Sequence, residues 1–80
     1  MPPRSEPSAY QQQTRRDVGA RVLALRLQAG LSQEDLGEHA GMDRRTVGRI
    51  EHGAVAATLD QLAAIARALG VPPWRLLYEG

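Results

Sequence analysis

The stretch Leu31–Gly53, LSQEDLGEHAGMDRRTVGRIEHG, constrains the fold of this chain more tightly than anything else in it. Ser32 stands before Gln33, Glu34 and Asp35, an N-cap with an acidic residue at the third helical position, as in a capping box. Asp43 can cap a second helix in the same way. Between the two, Ala40-Gly41-Met42 places a glycine where a sharp helix-to-helix turn needs it. Leu36, Ala40, Val47 and Ile50 then meet beneath the turn, and Arg45 and Arg49, four apart, share the opposite face of the second helix. A short helix held from below, with arginines above, has the form of an element that enters a nucleic-acid groove.

Eighty residues allow one small domain. An apolar content of 42 %, dominated by Leu and Ala with no Phe, favours an all-α fold over a sheet. The absence of cysteine excludes disulfides, thiolate metal sites and cysteine nucleophiles together, and the two histidines have no metal-ligand spacing, so no metal or cofactor is expected. Glu38-His39 and Glu51-His52 offer acid–base groups, but adjacent helical residues diverge and no nucleophile accompanies them. An enzyme is therefore not expected. There is no apolar leader and no apolar run approaching ~20 residues, so the expected location is cytoplasmic, associated with the nucleoid.

The net charge of +1 is unevenly spread: +3 over residues 1–31, −2 over residues 32–53 and zero beyond. All ten basic residues are arginine, whose guanidinium can fork to a phosphate or a guanine edge. A GC-rich coding sequence explains the lack of lysine equally well.

Residues 1–13, rich in Pro, Ser and Gln, read as a flexible N-terminal arm. They are either a solvated tail or an arm whose Arg4 reaches DNA in the minor groove. Thr14-Arg15-Arg16-Asp17 is a capping-box pattern that starts a helix running to about Ala29, stopped by Gly30. Val18, Val22, Leu25 and Ala29 share its inner face. Leu23 and Leu27 form a second stripe, to be covered within the chain, for instance by Tyr10, or by another subunit. Thr58, with Gln61 three residues on, caps a helix from about Leu59 to Leu69, with Leu59, Leu62, Ile65, Ala66 and Leu69 facing inward. Pro72-Pro73 opens a short fifth helix. Leu77 is expected to close the core. Trp74, Leu76 and Tyr78 leave more apolar surface than a small domain ordinarily exposes, and are expected to form a two-fold contact.

The run Gly30-Leu31-Ser32-Gln33, then Leu36, then Arg44-x-Thr46-Val47-x-Arg49-Ile50-Glu51-x-Gly53 resembles the helix-turn-helix of the phage repressor/Cro (XRE) regulators. The likeness extends upstream to Val18-Gly19 and Val22-x-x-Leu25-Arg26, and downstream through Leu59-x-x-Leu62-x-x-Ile65-Ala66-x-Ala68-Leu69-Gly70-Val71. It implies a compact five-helix, lambda-repressor-like domain over residues 14–80, with helices 2 and 3 forming the helix-turn-helix.

By position in that motif Arg44 and Arg45, with Arg49 one turn on, face base edges, and Asp43 at the cap is close enough to accept from a cytosine amino group. The family uses a glutamine such as Gln33 to hold a phosphate at a helix start. Thr46 and Thr58 are further phosphate candidates. The resemblance also implies a partly buried salt bridge between Arg26 and Glu51. Gly48 replaces a larger side chain on the reading face. The loop before Thr58 holds only Ala and Val where relatives place basic residues, so tight non-specific binding is not expected. The expected partners are a double-stranded DNA operator and a second copy of the chain. The expected role is a transcriptional regulator, a repressor, on a pseudo-palindrome. The alternative is a protein-interaction adaptor or antitoxin-like module on the same fold, with a protein partner.

Overall fold

The computed structural model describes residues 6–78. The chain forms α1 (Ala9–Gln28), α2 (Gln33–Ala40), α3 (Arg44–Glu51) and α4 (Leu59–Leu69), followed by a single 3₁₀ turn (Pro73–Leu76). Among the described residues the fold is all-α, with four α-helices rather than five. The expected fifth helix stops after one turn, where the amides of Leu77 and Tyr78 both return to the Trp74 carbonyl.

α1 begins five residues before the expected Thr14, so residues 9–13 are helix and not arm. Two capping patterns compete here, and the earlier one starts the helix. The Ser8 hydroxyl accepts from the Gln11 N–H at 3.1 Å, and the Gln11 carboxamide accepts from the Ser8 N–H at 2.8 Å. Thr14 instead donates its hydroxyl to the Tyr10 carbonyl at 3.0 Å, inside the helix. The glutamine run between them consists of good helix formers, and Gln13 bonds Asp17 one turn on at 2.9 Å. Arg4 lies outside the described residues.

This longer helix changes the fate of the second leucine stripe. Tyr10 continues along the same rod and cannot fold back, so Tyr10, Leu23 and Leu27 are all exposed. The core is Val18 and Val22 of α1, Leu36, Val47, Ile50, Ile65, Ala66 and Leu76, with Leu25, Ala40, Leu62 and Leu69 packed against it. Full burial of a side chain such as Leu36 or Ile65 contributes about 1.5–3 kcal/mol.

Three inward assignments are corrected. Ala29 is exposed at the helix end. Leu59 is 80 % exposed, because at the first position of α4 its Cβ points back along the axis, beyond the core edge. Leu76, not Leu77, closes the core, since the 3₁₀ turn carries Leu76 inward and leaves Leu77 54 % exposed. α1 crosses α3 where Gly19 meets the Ile50 and Glu51 carbonyls; a Cβ there would overlap them.

Candidate nucleic-acid interface

The start of α2 is fixed by a reciprocal pair: the Ser32 hydroxyl accepts from the Asp35 N–H at 2.9 Å and Asp35 accepts from the Ser32 N–H at 3.0 Å. The backbone bond from Ser32, followed by its hydroxyl, holds the Asp35 carboxyl below its ordinary range. α2 ends at Gly41, whose φ of 72° lies in the left-handed region that side chains avoid. The turn needs a second glycine as well. Gly37 passes so close to the Met42 carbonyl that a Cβ would overlap it. The sequence reading missed Gly37; a glycine in mid-helix, costly by propensity, was the available signal.

Asp43 accepts from the Thr46 N–H at 2.7 Å and so starts α3. That bond is the main reason its carboxyl is held below the ordinary range, and the charges of Arg45 and Arg49 lower it further. Its Oδ1 is therefore committed to the cap. Val47, Ile50 and Glu51 are buried, while Arg44, Arg45 and Arg49 are exposed. Among the described residues none of these three guanidiniums has an ion-pair partner.

Glu51 ties the end of α3 to two other elements. Arg26 donates from Nε to Oε2 at 2.7 Å and from Nη2 to Oε1 at 3.1 Å, and its Nη1 reaches the Leu31 carbonyl at 2.9 Å. Both residues are buried, with exposures of 8 % and 7 %. The bond to Glu51 raises the Arg26 pKa further above its ordinary value. Gln33 also donates to Glu51 Oε1, at 3.0 Å. A carboxylate only accepts, so the amide nitrogen must be the atom facing it, and the second amide hydrogen remains free. Gln33 lies across Gly48, whose ideal Cβ would sit 3.5 Å from Nε2. The bond between Gln33 and Glu51 had no sequence signal, because the residues are 18 apart on different helices.

Arg44 faces an open concavity of about 560 Å³ shared with Arg26 and the first turn of α2, Ser32 to Asp35. Thr46 is half-buried on α3. Thr58 is exposed but occupied as the cap of α4, accepting from the Gln61 N–H at 3.0 Å. The loop after α3 carries no basic side chain; the backbone and Cγ of Arg16 of α1 pack directly on Gly53, while the Arg16 guanidinium donates from Nη2 to Gln13 Oε1 at 3.0 Å. At the other end of the domain Trp74 and Tyr78 are 55 % and 64 % exposed, whereas Leu76 is fully buried. Leu76 therefore cannot take part in a subunit contact.

Two short helices locked at a glycine turn, one seated on the core and showing an arginine face, define a helix-turn-helix DNA-binding domain. A family model described as "Helix-turn-helix" matches residues 22–73, and the chain belongs to that family, the XRE-type regulators. The chain is similar to the restriction-modification controller protein C.AhdI from Aeromonas hydrophila, with 38 % identity over 80 % of this chain and 96 % of that one and a TM-score of 0.75. It is 29 % identical to the hypothetical transcription factor NHTF from Neisseria, over 98 % and 87 % of the two chains, with a TM-score of 0.79. The clp gene regulator ClgR from C. glutamicum shares the fold at 24 % identity, over 90 % and 87 % of the chains, with a TM-score of 0.77. No curated protein matches. The chain is a DNA-binding transcription regulator of the helix-turn-helix type. Among the described residues no helix is long and apolar enough to cross a membrane.

Proposed function

We propose that the domain is a sequence-specific repressor that lays α3 in the major groove and binds a pseudo-palindromic operator as a homodimer. The observation that carries this reading is the outer face of α3, where Arg44, Arg45 and Arg49 stand exposed above a buried seat without ion-pair partners among the described residues. A guanidinium pairs bidentately with guanine O6 and N7, each good pair giving ~1–3 kcal/mol of discrimination. G·C pairs in each half-site follow. Asp43, with Oδ1 held by the cap, offers only Oδ2 to a cytosine amino group. Gln33 offers its free amide hydrogen to a phosphate, and Thr46 and Thr58 are the other phosphate contacts.

One domain covers one half-site, so two copies span half-sites about 34 Å apart. Trp74 and Tyr78, with Leu77 in place of Leu76, supply the apolar surface for the two-fold contact. An open groove of about 680 Å³, bordered by Tyr10, Val55, Leu62 and Leu77, extends that surface.

Selection of bound sequences from a random DNA pool, followed by titrations at two salt concentrations, tests the reading. A palindrome with G·C pairs is expected, with Arg45→Ala and Arg49→Ala each removing one guanine contact per half-site and so weakening dimer binding about 30-fold or more on it. Wild-type affinity in both variants would refute the arginine assignment. A monomer in sedimentation, free and on the selected DNA, would refute the dimer.

A further inference from the structure

Arg21 and Arg26 lie five residues apart on α1 and begin the same set of hydrogen bonds. In each, Nη1 donates to a main-chain carbonyl from another segment: Leu31 for Arg26 at 2.9 Å, Leu76 for Arg21 at 3.4 Å. Arg26 then closes its Nε/Nη2 edge on the Glu51 carboxylate. The same edge of Arg21 makes no hydrogen bond among the described residues. Its Nε is buried with no hydrogen-bond partner, and among the described residues Arg21 has no ion pair. The Nε and Nη2 hydrogens of a guanidinium run parallel, at the spacing of the two oxygens of one carboxylate.

The surroundings of Arg21 suit such a ligand. Arg21, Ala24, Leu25, Gln28 and Arg75 line a notch of about 340 Å³. Arg75, from the 3₁₀ turn, adds a second guanidinium and Gln28 a carboxamide donor, and no acidic side chain is in the lining. Asp17, one turn before Arg21, takes the Gln13 amide at 2.9 Å and makes no ion pair with Arg21.

The notch also faces away from the reading helix. Gly19 and Arg16 of α1 meet the end of α3 and Gly53. At 100° per residue, Arg21 and Gln28 lie about 160–180° around α1 from Gly19. A duplex engaged by α3 leaves this flank uncovered.

We propose that Arg21, Arg75 and Gln28 form a carboxylate-binding notch by which the domain grips an acidic peptide segment of a partner protein. Nε is covered in the present conformation, so binding turns the end of the Arg21 side chain and brings its unpaired edge into the notch. The proposal rests on the fold alone; it stands or falls independently of the operator reading.

The test is a titration of the full chain, labelled with ¹⁵N, followed at the arginine Nε–Hε resonances, with tetraglutamate, acetate and inorganic phosphate as probes. The Arg21 resonance is expected to move saturably with tetraglutamate and with acetate. Arg75→Gln is expected to weaken both about two- to fivefold, while Arg16→Gln, outside the notch, leaves them unchanged. A shift of Arg21 that is linear, or equal to that of the other arginines, overturns the site. Tighter binding of phosphate than of acetate overturns the carboxylate assignment. Tighter acetate binding by Glu79→Gln would mean that the chain's own acid competes for the notch, and overturns the partner. So does loss of self-association in Arg21→Gln/Arg75→Gln, which would make the second copy the source of the carboxylate.

Discussion

Replacing Glu51 by alanine isolates the contact on which the interface is mounted. Glu51 accepts three hydrogen bonds, from Arg26 at 2.7 and 3.1 Å and from Gln33 at 3.0 Å. Without it, two N–H groups on one edge of the guanidinium of Arg26, a residue 8 % exposed, face protein with no acceptor. Each hydrogen bond to a charged group is worth about 1.5–3 kcal/mol, but three that share one carboxylate do not add. Stranding one partner of a buried pair costs about 3–5 kcal/mol, which is the expected loss. A domain of this length holds about 4–12 kcal/mol in total, so Glu51→Ala should lose from about a quarter of its stability to all of it.

The double variant Arg26→Met/Glu51→Leu removes both charges and fills the space with apolar atoms. It should recover to within about 1–2 kcal/mol of wild type, because burying an ion pair carries its own desolvation cost. Urea titrations followed by far-ultraviolet circular dichroism, closed as a cycle with the single variants Arg26→Met and Glu51→Leu, measure the coupling. A coupling below about 1 kcal/mol, with single variants keeping wild-type midpoints, would refute the reasoning. The double variant has a second use. Its stability returns, but Gln33 has lost its acceptor, so operator affinity should stay reduced.

Gly48→Ala should raise stability by up to about 1 kcal/mol, since the added Cβ stands 3.5 Å from the Gln33 amide, an ordinary contact in a helix interior. Thermal unfolding checks it, and a fall in midpoint would mean that Gln33 cannot adjust. Gly19→Ala should do the reverse, losing about 1–3 kcal/mol as α1 is pushed off α3, again read from the unfolding midpoint. Asp35 and Asp43 both titrate below the ordinary 3.8 in the folded domain, so their caps stabilise fully above that value. That stability is lost as pH falls through the lower folded values. Urea midpoints should therefore decline in acid, less steeply in Asp43→Asn, which keeps a capping oxygen without a titrating one; an unchanged slope counts against the assignment.

The fold was legible where a local interaction decides the structure. Ser32, Asp43 and Thr58 each cap the helix that their spacing marks, and the 3.6-residue pattern places Val22, Leu36, Val47 and Ile65 in the core. It was ambiguous where two local signals of the same kind lay in series. Ser8-x-x-Gln11 and Thr14-x-x-Asp17 both have the capping-box pattern, and only the absence of a break between them selects the first. Leu76 and Leu77 differ by one residue, and the geometry of a single 3₁₀ turn decides which points inward. Contacts between elements distant in sequence were not legible from periodicity. The approach of Gly19 to α3, the bond from Gln33 to Glu51 and the seat of Arg16 on Gly53 depend on where whole helices cross. The pairing of Arg26 with Glu51 was accessible only through the family likeness, since charge pattern alone makes both residues look solvated.

Long guanidinium side chains discriminate between bases only when the backbone carrying them is fixed, and α3 is too short to be stable by itself. Its position is set at three points: the Asp43 cap at its start, Val47 and Ile50 on the core, and Glu51 at its end. The last point differs from the others in also holding Gln33, so the proposed phosphate contact on α2 and the proposed reading helix share one carboxylate. Any rotation of α3 against α2 must then lengthen the Gln33 bond, the Arg26 bonds, or both. This makes register on the backbone and register on the bases a single variable. A domain with few basic residues around its rim has little non-specific attraction to spare. For such a domain, coupling the two registers through a buried pair gives specificity a route that does not depend on adding charge.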